Sequence, residues 1–115
     1  MAQAILTELS NHMVELVRTG ATHVIDLAGL PMSDTDKQEL ESVLGRGEVS
    51  ITLDSLGDSQ IYETAYSGIW WIKHYTADQH LISELIEIAT VPEIIRSHPE
   101  DIRKSSQDLK ELSIP

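Results

Sequence analysis

The chain has 115 residues, no cysteine and a formal net charge of −11 at pH 7. A chain of this length is expected to form one domain, residues 1–115, that buries a core without covalent cross-links. The absence of cysteine excludes disulfides, thiolate-bound zinc and iron–sulfur clusters. Because Lys and Arg are few and are not clustered, we expect no nucleic-acid partner.

The charge and hydropathy patterns also bear on location. No apolar run reaches the roughly 20 residues that a membrane span needs, and the N-terminal segment carries Glu8 and Glu15 where an export signal would carry bases. We therefore expect a soluble, cytoplasmic protein without a membrane partner. Residues 33–58 carry seven acids against two bases. This acidic stretch either keeps the protein soluble or attracts a basic partner surface.

The N-terminal part of the chain predicts two helices separated by a strand. Apolar residues at three- and four-residue spacing predict an amphipathic helix over residues 3–19, which Gly20 would end. Residues 22–28 are typical of a short strand. Ser33 is a suitable N-cap for a second helix, which would end before Gly45.

The remainder of the chain predicts consecutive strands and a last helix. Strands are expected over residues 48–54, 59–66, 69–75 and 81–89, and Pro99 is suited to open the final helix. Sequential strands joined by short loops favour an α+β fold. The prediction is an antiparallel sheet of four or five strands, arranged as a meander, with helices at the N-terminus, after the first strand and at the C-terminus.

The side chains of the central strands can be assigned to the two faces of the sheet. Ser67 and Gly68 suit a two-residue hairpin loop, because such turns need a positive φ. Counting outward from this loop places Trp70 and Trp71 on opposite faces. Both faces then carry apolar side chains, so helices must cover both or one face must leave a patch for a partner. One face carries Tyr62, Thr64, Tyr66, Ile69, Trp71, Lys73 and Tyr75, and the other carries Ile61, Glu63, Ala65, Trp70, Ile72 and His74.

This aromatic sheet is the candidate partner-binding surface. One tryptophan is expected in the core, and the other either packs under a terminal helix or serves as the anchor of an interface. The residues assigned to the surface are Tyr62, Glu63, Tyr66, Trp70, Trp71, His74 and Glu84.

Three of these residues permit other readings. Glu63 and His74 would be diagonal neighbours on one face of the sheet. They could form a cross-strand hydrogen bond, act as an acid–base pair or bind a metal together. Glu84 would lie opposite Trp71 and diagonal to Lys73, as an ion pair over an aromatic ring. The sequence contains no glycine-rich phosphate loop, HExxH motif or nucleophile elbow. No catalytic, cofactor-binding or metal-binding residue is therefore assigned.

Several short segments resemble the C-terminal conserved region of the HupH/HyaF-type hydrogenase expression/formation proteins. The central matches are residues 63–65, residues 68–70 with His74, residues 86–88 and residues 91–94, and the flanking ones are residues 30–33, 45–49 and 99–102 with Ser105 and Leu109. The resemblance covers residues 22–112. It implies that this family's fold extends over nearly the whole chain.

The resemblance implies a cytoplasmic accessory factor for an uptake nickel–iron hydrogenase. Such a factor would act as a chaperone on a hydrogenase subunit precursor, the iron–sulfur small subunit, before export, with other maturation factors as further partners. It implies no catalytic residue and no cofactor, and family members are longer, with an additional N-terminal region. Two alternatives stay open: a small metal-dependent enzyme that uses Glu63 and His74, and a homodimer joined through the aromatic face.

Overall fold

The structure, a computed structural model, describes residues 1–54 and 57–113. Within these ranges there are three α-helices and five strands, and the five strands form one antiparallel sheet. This arrangement confirms the predicted α+β fold. The helices are α1 (Ala2–Thr19), α2 (Asp34–Leu44) and α3 (Pro99–Ser113). The strands are β1 (His23–Asp26), β2 (Ser50–Leu53), β3 (Ser59–Glu63), β4 (Ile69–Tyr75) and β5 (Leu81–Ile88). Short 3-10 turns cover Leu27–Gly29 and Glu93–Ile95.

The strand order is β1-β5-β4-β3-β2, so that β2 to β5 form the predicted meander and β1 pairs with β5. Helices α1 and α2 both pack on the same side of this sheet, which we call the helical face. The opposite side is called the far face. The main core lies between the helices and the helical face and includes Ile5, Leu9, Leu40, Leu44, Tyr62, Trp71, Ile86 and Ile88.

The predicted helix boundaries are confirmed by their capping contacts. Gly20 adopts a left-handed conformation with φ of 77°, and its N–H donates to the carbonyl of Leu16 at the end of α1. Ser33 caps α2, since its hydroxyl accepts from the backbone N–H of Asp36 while the Asp36 carboxylate accepts from the N–H of Ser33. Hydrogen bonding of its carboxylate to the backbone N–H and the side chain of Ser33 lowers the pKa of Asp36 below its usual value.

The hairpin between β3 and β4 differs from the prediction. Strand β3 ends at Glu63, not at residue 66, and the loop is longer than the two residues expected. The Thr64 hydroxyl accepts from the N–H of Tyr66 and donates to its carbonyl, while the Ile69 carbonyl accepts from the N–H of Thr64 instead of that of Tyr66. The Glu63 carboxylate accepts from the N–H of Gly68 and closes the loop.

The longer loop shifts the pairing by two residues. Tyr62 lies opposite Trp71, where a two-residue loop would have placed Thr64. Because side chains alternate between faces with a period of two, a shift of two leaves each predicted face assignment within the strands unchanged. The same holds for β5: Glu84 lies opposite Lys73 and not opposite Trp71, yet it remains on the helical face.

Candidate functional site

Trp71 and Glu84 form the centre of a buried polar contact under α2. Trp71 is fully buried, and its indole Nε1–H donates to Glu84 Oε2 over 2.7 Å. The Glu84 residue is only 3% exposed. Its other oxygen, Oε1, lies 2.8 Å from Lys37 Nζ, which reaches the sheet from α2, and Lys73 Nζ lies 3.9 Å from Oε2. The predicted ion pair between Glu84 and Lys73 is therefore present, but Lys37 makes the shorter contact.

The charges of this network complement one another. The hydrogen bond to Glu84 raises the pKa of Lys37, with further contributions from the carboxylates of Glu84, Asp34 and Glu41. A buried carboxylate is costly unless it is paired and hydrogen-bonded, and Glu84 is both. This part of the predicted partner surface is consequently a structural tie between α2 and the sheet.

Tyr62 also lies in this core and not on a binding surface. Its ring is parallel to that of Trp71, with 6.2 Å between the centroids, and the guanidinium of Arg46 lies 4.0 Å from its centroid. Burial, with a smaller contribution from the charge of Glu41, raises the pKa of Tyr62 to about 12. The prediction that Tyr62 belongs to an exposed aromatic face is wrong.

Of the two alternatives for the second tryptophan, an exposed interface anchor or a side chain packed under a terminal helix, the structure shows neither. Trp70, on the far face, is 5% exposed. It is enclosed because the segment after β5 folds back over it: its Nε1–H donates to the carbonyl of Ala89, and Ile95 packs against it. The buried Glu87 carboxylate accepts from the N–H of Glu93 and fixes this segment. Trp70 is thus covered by a short 3-10 turn and not by a terminal helix.

Glu63 and His74 are not brought together. The two-residue shift places Glu63 opposite Trp70 and His74 opposite Ser59, at the two ends of the β3–β4 ladder. His74 Nδ1 is hydrogen-bonded to Ser59 Oγ over 2.6 Å, while Glu63 holds the hairpin loop. Glu63 and His74 are therefore too far apart along the ladder to bind one metal ion together or to act as an acid–base pair.

Tyr66 is the one predicted surface aromatic that the structure leaves accessible, with 53% of the residue exposed. It lies on the hairpin loop at the edge of a groove of about 350 Å³ between α1, α2 and the start of β4. The groove, called here the Tyr66 groove, is mostly apolar. Its lining residues are Leu6, Leu9, Ser10, Met13, Val43, Leu44, Tyr66 and Ile69.

The position of the Tyr66 groove follows from local structure. Gly68 has a φ of 93°, which turns the hairpin loop toward α1, and the methyl ends of Met13 and Leu16 lie within 3.6 Å of the position that a Cβ would take there. The apolar stripe of α1 is therefore shared between the core and the groove. Val43 of α2 is 47% exposed at the opposite wall. The sequence indicated the stripe and Tyr66 but not their meeting, which depends on the longer loop.

Helix α2, which supplies Val43 and Leu44 to the Tyr66 groove, is acidic. Helix α2 carries Asp34, Asp36, Glu39 and Glu41 against the single base Lys37, and that base is engaged by Glu84. A partner segment that combines apolar side chains with flanking bases fits such a surface.

A second cluster of polar side chains, which the sequence analysis did not predict, connects α1 to β1. The cluster consists of Glu8, His12 and His23. Each offers one nitrogen or carboxylate oxygen that could bind a metal, and these atoms lie within 4.8 Å of one another. Glu8 Oε1 lies 3.3 Å from His12 Nε2 and 3.8 Å from His23 Nε2. The two imidazole rings are stacked, with centroids 3.6 Å apart and planes inclined by 14°. An ion cannot lie in the planes of two rings stacked in this way, so this conformation does not form a metal site.

In the described part of the chain, none of the helices combines the length and the hydropathy that a transmembrane crossing requires.

Comparison with known proteins finds relatives among the hydrogenase expression/formation proteins. The family model described as "HupH hydrogenase expression protein, C-terminal conserved region" matches residues 1–114. The hydrogenase expression/formation protein HupH of Rhodobacter capsulatus is 32% identical over 111 residues, which are 96% of this chain and 40% of that protein. The hydrogenase-1 operon protein HyaF of Escherichia coli K12 is 31% identical over 90 residues, 78% of this chain and 32% of that protein. This chain thus spans about a third of the length of the curated relatives that it matches.

A solved structure agrees with these matches. The hydrogenase expression protein HupH from Thiobacillus denitrificans superimposes on this chain with a TM-score of 0.87 and 36% sequence identity. The alignment covers 98% of this chain and 96% of that one.

Proposed function

Because the chain belongs to the family of the HupH hydrogenase expression protein, C-terminal conserved region, we propose that it is a non-enzymatic, chaperone-like factor in hydrogenase maturation. In this proposal it binds the precursor of a hydrogenase subunit, the iron–sulfur small subunit, in the cytoplasm. Relatives in this family carry the names of hydrogenase expression/formation proteins. Their names support the maturation role, and the Tyr66 groove supports the mode of action.

The observation that carries the proposal is an apolar groove with an accessible aromatic side chain on a strongly acidic protein. Accessible tyrosines are enriched at interfaces, because the ring buries a large area and the hydroxyl keeps a polar contact. The groove volume of about 350 Å³ is enough for a few apolar side chains of a partner. The Tyr66 groove replaces the tryptophan-centred sheet face as the proposed binding surface.

The acidic surface gives the proposal its direction. The net charge of −11 attracts a basic segment and repels an acidic one over distances of about 8 Å at physiological salt. A precursor segment with apolar residues for the groove and bases beside them is the expected client. Such an interaction weakens as the salt concentration rises, because salt screens the charges at the rim of the interface.

The rival interpretation as a metal-dependent enzyme has lost the pair on which it depended. Glu63 and His74 bind different partners at separate ends of the sheet. The proposal therefore assigns no reaction to the chain and treats binding as its activity.

The test is the affinity for a purified small-subunit precursor. Tyr66→Ala removes the accessible ring, while the hydrogen bonds that Tyr66 makes to Thr64 involve only its backbone. We expect the substitution to cost on the order of 2 kcal/mol of binding, which is about a 30-fold rise in Kd. Isothermal titration calorimetry on the folded variant measures it.

Tyr75→Ala is the matched control, since it removes a tyrosine from the opposite end of β4, outside the Tyr66 groove. Its Kd should equal that of the wild type. Equal affinities of the wild type and Tyr66→Ala would contradict the groove assignment. No binding of any hydrogenase subunit precursor by the wild type would contradict the proposed function as a whole.

A further inference from the structure

Helix α3 stands away from the rest of the molecule. Every residue from Pro99 to Leu112 is exposed, including three large apolar residues: Ile102 at 55%, Leu109 at 66% and Leu112 at 82%. The molecule measures 61 × 41 × 24 Å, with a radius of gyration of 17.3 Å. A compact domain of this length would have a radius of gyration of about 13 Å. The extended shape is that of a body with a projecting arm.

The sequence of α3 is that of a helix with one buried side. Ile102, Leu109 and Leu112 follow one another at spacings of seven and three, which places them in one stripe along the helix. The charged residues pair with one another within the helix, as in Arg103 with Glu100 and Lys104 with Asp108. Pairs of this kind contribute only about 0.5 kcal/mol each, and an isolated helix of about 15 residues is marginal in water. The stripe therefore indicates a missing contact.

The far face of the sheet has apolar side chains that the rest of the chain does not fully cover. Its centre is enclosed by the turn that carries Ile95, but Val24 on β1 is 49% exposed, and Ile51, Leu53 and Leu85 are only partly buried. The chain leaves this face at Ile95, and α3 begins at Pro99. Each molecule thus presents both an apolar helix and an incompletely covered apolar face, which do not meet within one chain.

The charge distribution favours a second copy as the occupant. Residues 1–95 carry 15 acids and four bases, whereas residues 96–115 carry four acids and four bases. The C-terminal segment is therefore the part of this chain that approaches another acidic copy without net repulsion, and Arg96, Arg103, Lys104 and Lys110 bring half of the Lys and Arg residues to the contact.

We propose that two copies exchange their C-terminal helices, so that the stripe of Ile102, Leu109 and Leu112 from each lies on the far face of the other. Such an exchange has two-fold symmetry and closes on itself. A 15-residue helix is about 22 Å long and 10 Å wide, with a curved surface of about 700 Å². A stable interface of about 1,600 Å² needs about 400 Å² from each of two helices and two acceptor faces, which helices of this size supply.

The exchange leaves the Tyr66 groove free, because that groove lies beside α1 and α2 on the helical face. Helix α3 is also no peculiarity of this chain. It contains 15 of the 115 residues, so an alignment to the solved HupH structure that covers 98% of the chain includes nearly all of it. The helix therefore has a counterpart in a relative with 36% identity.

Sedimentation velocity of the full chain over a micromolar dilution series tests the proposal. The wild type should sediment with twice the chain mass of 12.8 kDa, and Leu109→Glu, which places a charge in the stripe, should sediment as a monomer. Gln107→Glu adds the same charge to another side of the same helix and should remain a dimer. Because α3 contributes nothing to the core, the sheet and helices α1 and α2 should stay folded in all three proteins, while the dissociated Leu109→Glu protein should show a weaker helical circular dichroism signal, since its α3 loses the contact that stabilises it.

Val24→Glu examines the acceptor face and should also give a monomer. A wild type that is monomeric throughout the series would overturn the proposal, as would a dimer that survives Leu109→Glu. A dimer that survives Val24→Glu but not Leu109→Glu would show that the helices pair with each other and would overturn the exchange. A monomeric wild type whose binding to a hydrogenase precursor requires Leu109 would assign the stripe to that precursor instead.

Discussion

Glu84 connects α2 to the sheet through buried polar contacts. It is a carboxylate in an apolar environment, and its two oxygens are held by the indole of Trp71 and the ammonium of Lys37. No buried side-chain nitrogen or oxygen among the described residues lacks a hydrogen-bond partner. Removal of any member of this trio therefore leaves a buried polar group unpaired, which costs more than the hydrogen bond itself contributes.

Glu84→Ala should be strongly destabilising for this reason. The substitution leaves the Trp71 N–H and Lys37 without their acceptor, and we expect a loss of about 2 to 3 kcal/mol in the free energy of unfolding. Glu84→Gln keeps an acceptor for Trp71 and should lose less. Urea denaturation monitored by tryptophan fluorescence gives both values. Glu39→Gln, on the exposed side of α2, is the control and should be neutral; an equally neutral Glu84→Ala would show that the network does not stabilise the fold.

The hairpin loop between β3 and β4 sets both the register and the Tyr66 groove. Its conformation needs a positive φ at Gly68, where the angle is 93°. A Cβ at this position would meet Leu16 and Met13 at 3.5 and 3.6 Å, which are ordinary contact distances. Neighbouring side chains therefore leave room for a Cβ at position 68. An L-residue is disfavoured there because the positive φ strains its backbone.

Gly68→Ala is expected to destabilise the protein by about 1 kcal/mol, because alanine disfavours this backbone conformation. Gly29→Ala is the matched control. Its φ lies outside the left-handed region, and the nearest side-chain atom is 3.7 Å from the added Cβ, so its unfolding free energy should change by less than about 0.5 kcal/mol. Thermal melts of the two variants measure the difference. Equal melting temperatures would mean that the loop relaxes at no cost.

Local signals predicted much of this fold, because they depend on neighbouring residues. The glycine after α1 and the capping box at Ser33 act within one turn of a helix, and both helix ends were predicted correctly. The strand faces were also correct, since alternation is a property of each strand. The loop length was not predicted correctly, because it depends on hydrogen bonds between the Thr64 hydroxyl and the backbone of Tyr66, which composition does not reveal.

The accessibility of the predicted site depends on contacts between distant segments, and it was wrong for Tyr62, Trp70, Trp71 and Glu84, which are buried. Trp70 is buried because residues 89–95 return over it, a path that no local pattern indicates. The cluster of Glu8, His12 and His23 exists only because α1 lies beside β1. Tyr66 was in the predicted set, but the groove beside it needs side chains from two helices and a strand. Contacts between residues that are distant in the sequence cannot be inferred from the local patterns of one sequence.

The described residues form two proposed interfaces that lie apart from each other, and each is proposed to bind a different partner. The Tyr66 groove, on the helical face and beside acidic α2, suits a basic and apolar segment of a client. The stripe of α3 and the far face suit one another in a second copy. A dimer built in this way would display two Tyr66 grooves, which allows two clients to bind at once or one client to bind through two segments.

The proposal that the Tyr66 groove holds a hydrogenase subunit precursor is tested most directly by site-specific photo-crosslinking in cells that produce the hydrogenase. A photoreactive phenylalanine analogue at position 66 should yield an adduct that contains the small-subunit precursor, and the same analogue at position 75 should not. A precursor that accumulates without forming an adduct at position 66, or that reacts equally at both positions, would contradict the account.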